Sequence, residues 1–332
     1  MPRRTKGQHF LLTAAARSLS LAKVLRMTER AAETVFAAIR WAETGGRPIC
    51  PRCGCATCYD CRRPNGAPRW RCKACRADFS LTSGTLFAFR KLPIRTYLAA
   101  IVIFVNEVKG KSALALSRDL DVQYKTAFVL AHKIREAMAS EMKGKGIGGA
   151  DRIVEIDGCH VGGHIRPENE KKDRLDRRLT GNQSGSRRVV VALRERGGRT
   201  LAMTFKTEAA SIDFIRSRVD RATTVHADEA ADWNALHGRF DTRRINHQTA
   251  FSLDGACTNA AESLFSRLRR AEIGHYHHLS GVYLDRYARE IAFREDHRRT
   301  ANGEQFTAVA GLVARNGPSV DFCGYWQRAR AA

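Results

Sequence analysis

Two sets of side chains in this chain have types and spacing suited to chemistry. The first is Cys50-Pro51-Arg52-Cys53 and, eighteen residues on, Cys72-Lys73-Ala74-Cys75. Two such pairs turn four thiolates toward one point, closing a tetrahedral zinc shell with no open catalytic position. A redox CxxC fits poorly, because there are two pairs and no thioredoxin-like pattern around them. Cys55, Cys58 and Cys61 lie between the pairs, and Cys58-Tyr59-Asp60-Cys61 is itself a CxxC, so a second ligand set stays open. The outer set is preferred because each pair is framed as a knuckle, Cys53-Gly54 and Cys75-Arg76, with Trp70 just ahead of the second.

The second set is acidic. Residues 152–157 and 223–228 each read as a short apolar strand ending in an aspartate, Asp157 and Asp228. An unpaired carboxylate there is costly to bury, and a cation accounts for the placement. Glu262, on a helix expected over 259–270, is the candidate third ligand. Hard oxygen donors suit magnesium or manganese, and two such ions about 3.5–4 Å apart stabilise both oxygens of a phosphodiester displacement. Glu262 has a competing reading, since Asn259-Ala260-Ala261-Glu262 also fits a helix capping box. Glu155, Glu229 and Asp232 are further acids nearby; by strand alternation Glu155 shares a face with Asp157, to support the site or to face solvent.

Positioning these residues takes a mixed framework. Strands are expected over 152–157, 189–193 and 201–205, the last two joined by a Gly197-Gly198 turn. A helix over 209–219, the strand 223–228, a helix near 232–236, a short strand near Ile245 and the helix 259–270 follow. That order is the one expected of a ribonuclease-H-like α/β domain. Ahead of it, 11–41 reads as helical, and 94–108 as a helix with Leu98, Ile101, Val102, Val105 and Val108 buried. Segments 112–120 and 123–138 have helix-turn-helix spacing; Gln123, Tyr124, Lys125 and Thr126 open the second helix, where DNA is usually met, and a plain helical hairpin is the alternative. Gly144, Gly146, Gly148 and Gly149 suggest a flexible linker. The expected organisation is a helical segment 1–45, a zinc ribbon 46–90, a DNA-binding helical module 91–143, a catalytic domain 150–300 and an extension 301–332.

Composition adds a partner. Lys and Arg number 57 against 34 Asp and Glu, a formal net charge of +23 spread along the chain. An excess of that size is usually matched by a polyanion, and nucleic acid is favoured over an acidic membrane because no basic amphipathic anchor stands out. Hydrophobic residues make up 43%, enough for a globular core. The longest apolar run, 98–105, is far short of the roughly 20 residues a bilayer span needs. Arg17 and Lys23 interrupt any signal-peptide pattern, so a cytoplasmic location is expected, where clustered cysteines point to metal rather than disulfides.

Taken in order, these residues resemble the ISXO-like transposases of bacterial insertion sequences. The resemblance is carried by Cys50-Pro51-x-Cys53-Gly54, Trp70-Arg71-Cys72-x-x-Cys75, Phe79-Ser80-x-Thr82-Ser83-Gly84-Thr85, Val154-Glu155-Ile156-Asp157 and Val161-Gly162-Gly163. It continues through His226-Ala227-Asp228, Asn259-x-x-Glu262-Ser263-Leu264-Phe265-Ser266-x-Leu268-Arg269-Arg270, His277-His278-x-Ser280, Tyr283-Leu284-x-Arg286-Tyr287-x-x-Glu290 and Phe293-Arg294. It implies a DDE triad of Asp157, Asp228 and Glu262 holding magnesium or manganese, with Arg269 and Arg270 toward DNA. It also implies binding of terminal inverted repeats, end cleavage and strand transfer to target DNA; joining two ends calls for a homodimer or higher assembly. Two positions depart from the pattern: Gly158 stands where that group often has Glu, and Asp296-His297 where an Asn is common. A loop holding Gly158, Gly162, Gly163, Lys171, Lys172, Arg174, Arg177, Arg178, Gly181, Gly185, Arg187 and Arg188 would grip phosphate or lie in solvent. His275, His277 and His278 read as contacts to DNA or solvent rather than metal ligands. The rival readings are a zinc-ribbon DNA-binding regulator with an inactive second half, and a structure-specific nuclease of the same fold.

Overall fold

A computed structural model describes residues 9–64, 66–162, 170–175, 185, 187–246, 252 and 255–323. The chain divides into two compact units, residues 1–141 with 297–332, and Met142–Asp296.

In the first unit, helices α1 (Leu21–Leu25) and α2 (Glu29–Arg40) lead into a small antiparallel sheet of β1 (Cys58–Asp60), β2 (Arg69–Cys72) and β3 (Asp78–Ser80). The segment 11–41 is not one continuous helix. Thr28 starts α2 afresh, its extended backbone letting the side-chain oxygen accept from Ala31 N at 3.2 Å. Trp41, at the end of α2, meets Trp70 of β2 edge-on at 5.5 Å, and Trp70 lies 5.8 Å from Phe79 of β3. Helices α3 (Ile94–Asn106), α4 (Ala113–Asp119) and α5 (Tyr124–Ser140) follow, and α9 (Asn302–Arg315) returns from the C-terminal end to pack on α2, α3 and α5. Segments 1–45, 46–90, 91–143 and 301–332 thus all contribute to one unit. Packing on several sides explains why α3 buries Ala99, Ala100, Ile103 and Phe104 as well as the expected stripe. Val108 lies beyond the end of α3 and is exposed, against expectation.

The second unit is built on a five-stranded sheet. Its strands are β4 (Ile153–Val161), β5 (Arg188–Glu195), β6 (Thr200–Phe205), β7 (Thr224–Asp228) and β8 (Asp241–Ile245), in the order β6-β5-β4-β7-β8. β4, β5 and β6 are mutually antiparallel, whereas β7 runs parallel to both β4 and β8. The β5–β6 hairpin closes on Gly197, whose φ of 71° a side chain would resist. Between β6 and β7 lies α6 (Ile212–Arg218), and after β8 come α7 (Asn259–Ala271) and α8 (Leu284–Asp296). Val154, Ile156, Val189–Leu193, Val225 and Ala227 form the buried centre, with Ile212 and Ile215 of α6 and Leu264, Phe265 and Leu268 of α7 in the same cluster.

Two sequence expectations change here. The glycine-rich segment before β4 is tied down rather than free. Ile147 is buried and bridges to Val219, Gly149 N donates to Thr223 Oγ1 at 2.8 Å, and Gly148 N donates to Glu195 Oε2 at 3.2 Å. Asp157, moreover, does not end its strand. Antiparallel pairing with β5 continues to Val161↔Arg188, while parallel pairing with β7 stops at Ile156↔Ala227. Asp157 is therefore the first β4 residue past the β7 pairing, in mid-strand.

Candidate active site and zinc centre

The cysteine pairs form two matching knuckles. Gly54 N donates to Cys50 O at 2.9 Å and Arg76 N donates to Cys72 O at 3.1 Å. Gly54 and Arg76 both take a positive φ, 75° and 58°, turning the chain back after each pair. Cys50 Sγ lies 3.6 Å from Cys75 Sγ, Cys53 Sγ lies 3.6 Å from Cys72 Sγ, and all four sulfurs fall within 4.8 Å of one another. A tetrahedral shell with Zn–S of about 2.3 Å places sulfurs roughly 3.8 Å apart, so the two 3.6 Å pairs already stand near the separation zinc needs. The backbone N–H of Cys75, first among several hydrogen bonds, draws the Cys72 thiol down to about 6, toward the thiolate a metal needs. The inner thiols turn elsewhere: Cys55 Sγ toward Thr57 O at 3.6 Å, Cys58 Sγ toward Cys55 O and Pro48 O at 3.8 and 3.9 Å, while Cys61 is exposed.

In the second unit a groove of about 480 Å³ is lined by Asp157, Gly158, Glu262, Phe265, Ser266, Arg269, Arg270 and Ile273. From Glu262, steps of four, seven, eight and eleven residues reach Ser266, Arg269, Arg270 and Ile273, one face of α7 carried into the turn beyond it. The amide of Gly158 donates to Asp157 Oδ1 at 2.7 Å, and that of Ala230 to Asp228 Oδ1 at 3.1 Å. Burial first, then the charge of Asp228, and less strongly those of Glu262 and Glu208, push Asp157 up to about 8. The carboxylates thus act on one another without converging as the thiols do. Among the described residues, only the four cysteines form a group of three or more metal-binding side chains within that 4.8 Å.

Glu155 settles how α7 is held. It is 1% exposed, with Oε2 accepting from Ala260 N at 2.7 Å and Ala261 N at 3.2 Å, and Oε1 accepting from Arg196 Nε at 2.8 Å. The capping box expected at Asn259 is absent. Asn259 is already helical, Thr258 precedes it without a side-chain cap bond, and β4 supplies the capping carboxylate instead. A negative group there also suits the positive end of the helix dipole. Arg196 Nη2 lies 3.1 Å from His226 Nδ1, which also accepts from Cys257 N at 3.2 Å. Those two donors leave the His226 proton on Nε2, and burial, then Arg196, lowers its pKa.

Residues 148–296 match the model of the ISXO2-like transposase domain, and residues 27–78 that of the transposase zinc-ribbon domain. The chain thus carries an ISXO2-like transposase domain behind a transposase zinc ribbon. It is similar to an uncharacterized protein in transposable element ISH50 of Halobacterium salinarum, with 24% identity over 296 residues, covering 85% of this chain and 96% of that one. No solved structure matches the chain. The transposase-domain match holds every acidic residue of the groove, and the zinc-ribbon match holds all four converging cysteines.

Elsewhere in the chain, Gln123, Tyr124 and Lys125 are exposed and Thr126 half-buried at the start of α5, after a turn at Asp121 with φ 51°. Arg269 and Arg270 are exposed in the groove, and Ser266 Oγ accepts from Arg270 Nη2 at 2.6 Å. His277 takes a positive φ of 57° just past α7. No helix among the described residues is long and apolar enough to cross a membrane. Of the expected cationic loop, Gly163, Arg177, Arg178 and Gly181 lie outside the described residues. One acid escaped the sequence reading altogether. Glu208, between β6 and α6, is pushed up to about 7 by burial and by Asp228 and Asp232. Its signal was a glutamate three residues past the end of a strand, in a β–α connection.

Proposed function

We propose that this chain is the transposase of an insertion sequence, which binds the element's terminal inverted repeats, cuts at its ends and joins the freed 3′ hydroxyls to target DNA. One observation carries the reading: Asp157 of the central strand and Glu262 of α7 line one groove with Arg269 and Arg270, while Asp228 acts on Asp157 from the adjoining strand. The order β6-β5-β4-β7-β8, antiparallel on one side of β4 and parallel on the other, supports a ribonuclease-H-like fold.

Asp157, Asp228 and Glu262 would hold magnesium or manganese, since all are hard oxygen donors whose mutual repulsion a cation relieves. When bound, such ions neutralise charge on the scissile phosphate and activate the attacking water or 3′ hydroxyl. The chain's residues prepare the place. The Gly158 and Ala230 amides each fix one carboxylate oxygen, and Glu155 fixes the start of the helix bearing Glu262. Arg269 and Arg270 meet the DNA backbone, with Ser266 orienting the second. Gln123, Tyr124, Lys125 and Thr126 would read the element ends from the start of α5, and the zinc ribbon shares that unit. Cutting and joining two ends together calls for a dimer or larger assembly.

The test uses the purified chain, labelled element ends, a target plasmid and magnesium. Asp157→Asn, Asp228→Asn and Glu262→Gln should each reduce cleavage and joining to background while end binding persists. Calcium should support binding with little chemistry. A Glu262→Gln protein that cleaves normally would remove that residue from the site. Wild-type protein that binds but never cuts would favour the regulator, and one that cuts without joining, the nuclease.

A further inference from the structure

The turn that follows α7 carries an apolar side chain to the wall of the groove. Glu272–Tyr276 winds as a single π turn, an arrangement that is rare and often found at functional sites, and His277 follows it at a φ of 57°. The turn is tied down rather than loose. Ala271 before it and Leu279 after it are buried, the Tyr276 ring meets Tyr287 of α8 edge-on at 4.7 Å, and Tyr276 Oη donates to Glu290 Oε2 at 3.4 Å. From this anchored turn Ile273 stands 73% exposed and lines the groove with Ser266, Arg269 and Arg270. A lone isoleucine on an open surface needs no explanation. One held in a groove of acids and arginines does, because water or an ionic occupant gains nothing from it.

We propose that Ile273 is a wedge that enters between two stacked bases of the bound element end, about five nucleotides from the phosphodiester to be cut. The inference rests on the transposase reading above and adds to it the contact that bends the DNA. Duplex DNA offers an apolar side chain only its bases and sugars, and the arginines beside Ile273 hold the phosphates that bring those bases to it. The spacing is set by α7. At about 1.5 Å per residue, Arg269 and Arg270 lie roughly 10–12 Å along the helix from Glu262, and Ile273 roughly 16 Å. At about 3.4 Å per nucleotide, those spans are about three and about five nucleotides of duplex. Asp157 is half-buried in mid-strand, and a duplex stays nearly straight over so few base pairs. A kink where Ile273 parts the stack lets the backbone descend to the carboxylates. Branching at Cβ makes the side chain stiff, so little freedom is lost when it inserts.

The experiment places the fluorescent base 2-aminopurine singly at successive positions beside the cleavage point of a duplex carrying the element's terminal repeat. The base brightens when it is unstacked. With the zinc-loaded full chain and calcium, wild type should brighten it about five nucleotides from the cut, and Ile273→Ala should not. With magnesium, Ile273→Ala should cut roughly tenfold more slowly while binding the end almost as tightly, because the phosphate contacts persist and the unstacking does not. A mismatch at that step, which opens the stack in advance, should restore cutting by Ile273→Ala; a side chain that merely shapes the turn would not respond to it. Ile273→Leu should keep both signals, and all three proteins should melt together, since the side chain is exposed. No brightening in the wild type, wild-type cutting by Ile273→Ala, or slow cutting that the mismatch leaves unchanged would each overturn the wedge and leave the transposase reading standing. Wild-type protein that binds the end and never cuts would remove that reading, and the wedge with it.

Discussion

The zinc ribbon and the acidic groove of the second unit both gather negative charge, and they do it in opposite ways. The ribbon takes its four thiols from a short stretch of chain, and the two knuckles repeat one local hydrogen-bond pattern, so the sulfurs already lie within 4.8 Å of one another. The groove takes its acids from β4 and α7, with Asp228 of β7 acting on the first of them. Nothing local brings them together; a sheet register and a helix cap do. A structural metal can thus be specified by spacing along the chain, whereas the proposed catalytic one would depend on residues that are not ligands, Glu155 above all.

The largest expected effect falls on the ribbon, because a structural zinc supplies much of the folding free energy of so small a sheet. Wild-type protein should carry about one zinc per chain, as a four-thiolate site requires. Cys72→Ser should lose the metal and expose the β1–β3 segment to protease, while Cys58→Ser retains both metal and protection. Metal analysis and limited proteolysis decide it. Zinc kept in Cys72→Ser but lost in the Cys58→Ser, Cys61→Ser double variant would move the centre to the inner cysteines and dissolve the contrast drawn here.

The same contrast explains what was legible before the structure. Cys50, Cys53, Cys72 and Cys75 could be picked out because their geometry is a function of sequence distance. The β5–β6 hairpin was visible in Gly197-Gly198 for the same reason. Asp157 was misplaced to a strand end, because period-2 patterning cannot show that β5 continues pairing where β7 stops. The capping box, the competing reading at Asn259, does not form, and a carboxylate from β4, far off in sequence, takes the first N–H groups of the helix instead. Glu208 lies fifty residues beyond Gly158, and only the missing side chain at 158 links them. No spacing rule reaches that far.

A middle-sized effect is expected at Glu155. Glu155→Ala leaves two helix N–H groups and the Arg196 guanidinium without their shared acceptor, which should lower the stability of the catalytic unit by roughly 3–5 kcal/mol, the range for a broken buried pair. Glu155→Gln keeps one acceptor oxygen and should lose less. If tertiary capping sets the place of Glu262, the magnesium concentration for half-maximal cleavage should rise in Glu155→Gln beyond what its folded fraction explains. Denaturant melts alongside a magnesium titration measure both. An unchanged magnesium requirement would reduce Glu155 to a stabilising residue, and the groove would then depend less on its supports than the comparison claims.

The smallest effect distinguishes the two sites by pH. Asp157 is raised to about 8 and Glu208 to about 7, in each case by burial first and by neighbouring carboxylates next. A carboxylate whose folded-state pKa lies above its unfolded one stabilises the fold at low pH and loses that contribution as pH rises through the folded value. The metal-free catalytic unit should therefore lose stability between about pH 4 and pH 8. Asp157→Asn, which cannot ionise, should flatten that decline, melting higher than wild type at pH 8 and nearly level with it at pH 5. Both carboxylates are partly solvated, so a difference of roughly 1–2 kcal/mol is expected at pH 8, or a few degrees for a unit of this size. Magnesium at pH 8 should raise the wild-type melting temperature by binding the folded state alone, and should leave Asp157→Asn nearly unmoved. Thermal scans at both pH values, with chelator and with magnesium, read all of this from one instrument. If wild type and Asp157→Asn fall in parallel from pH 5 to pH 8, the carboxylates do not repel one another in the folded chain. The groove would then resemble the ribbon, a site at ease before its metal arrives.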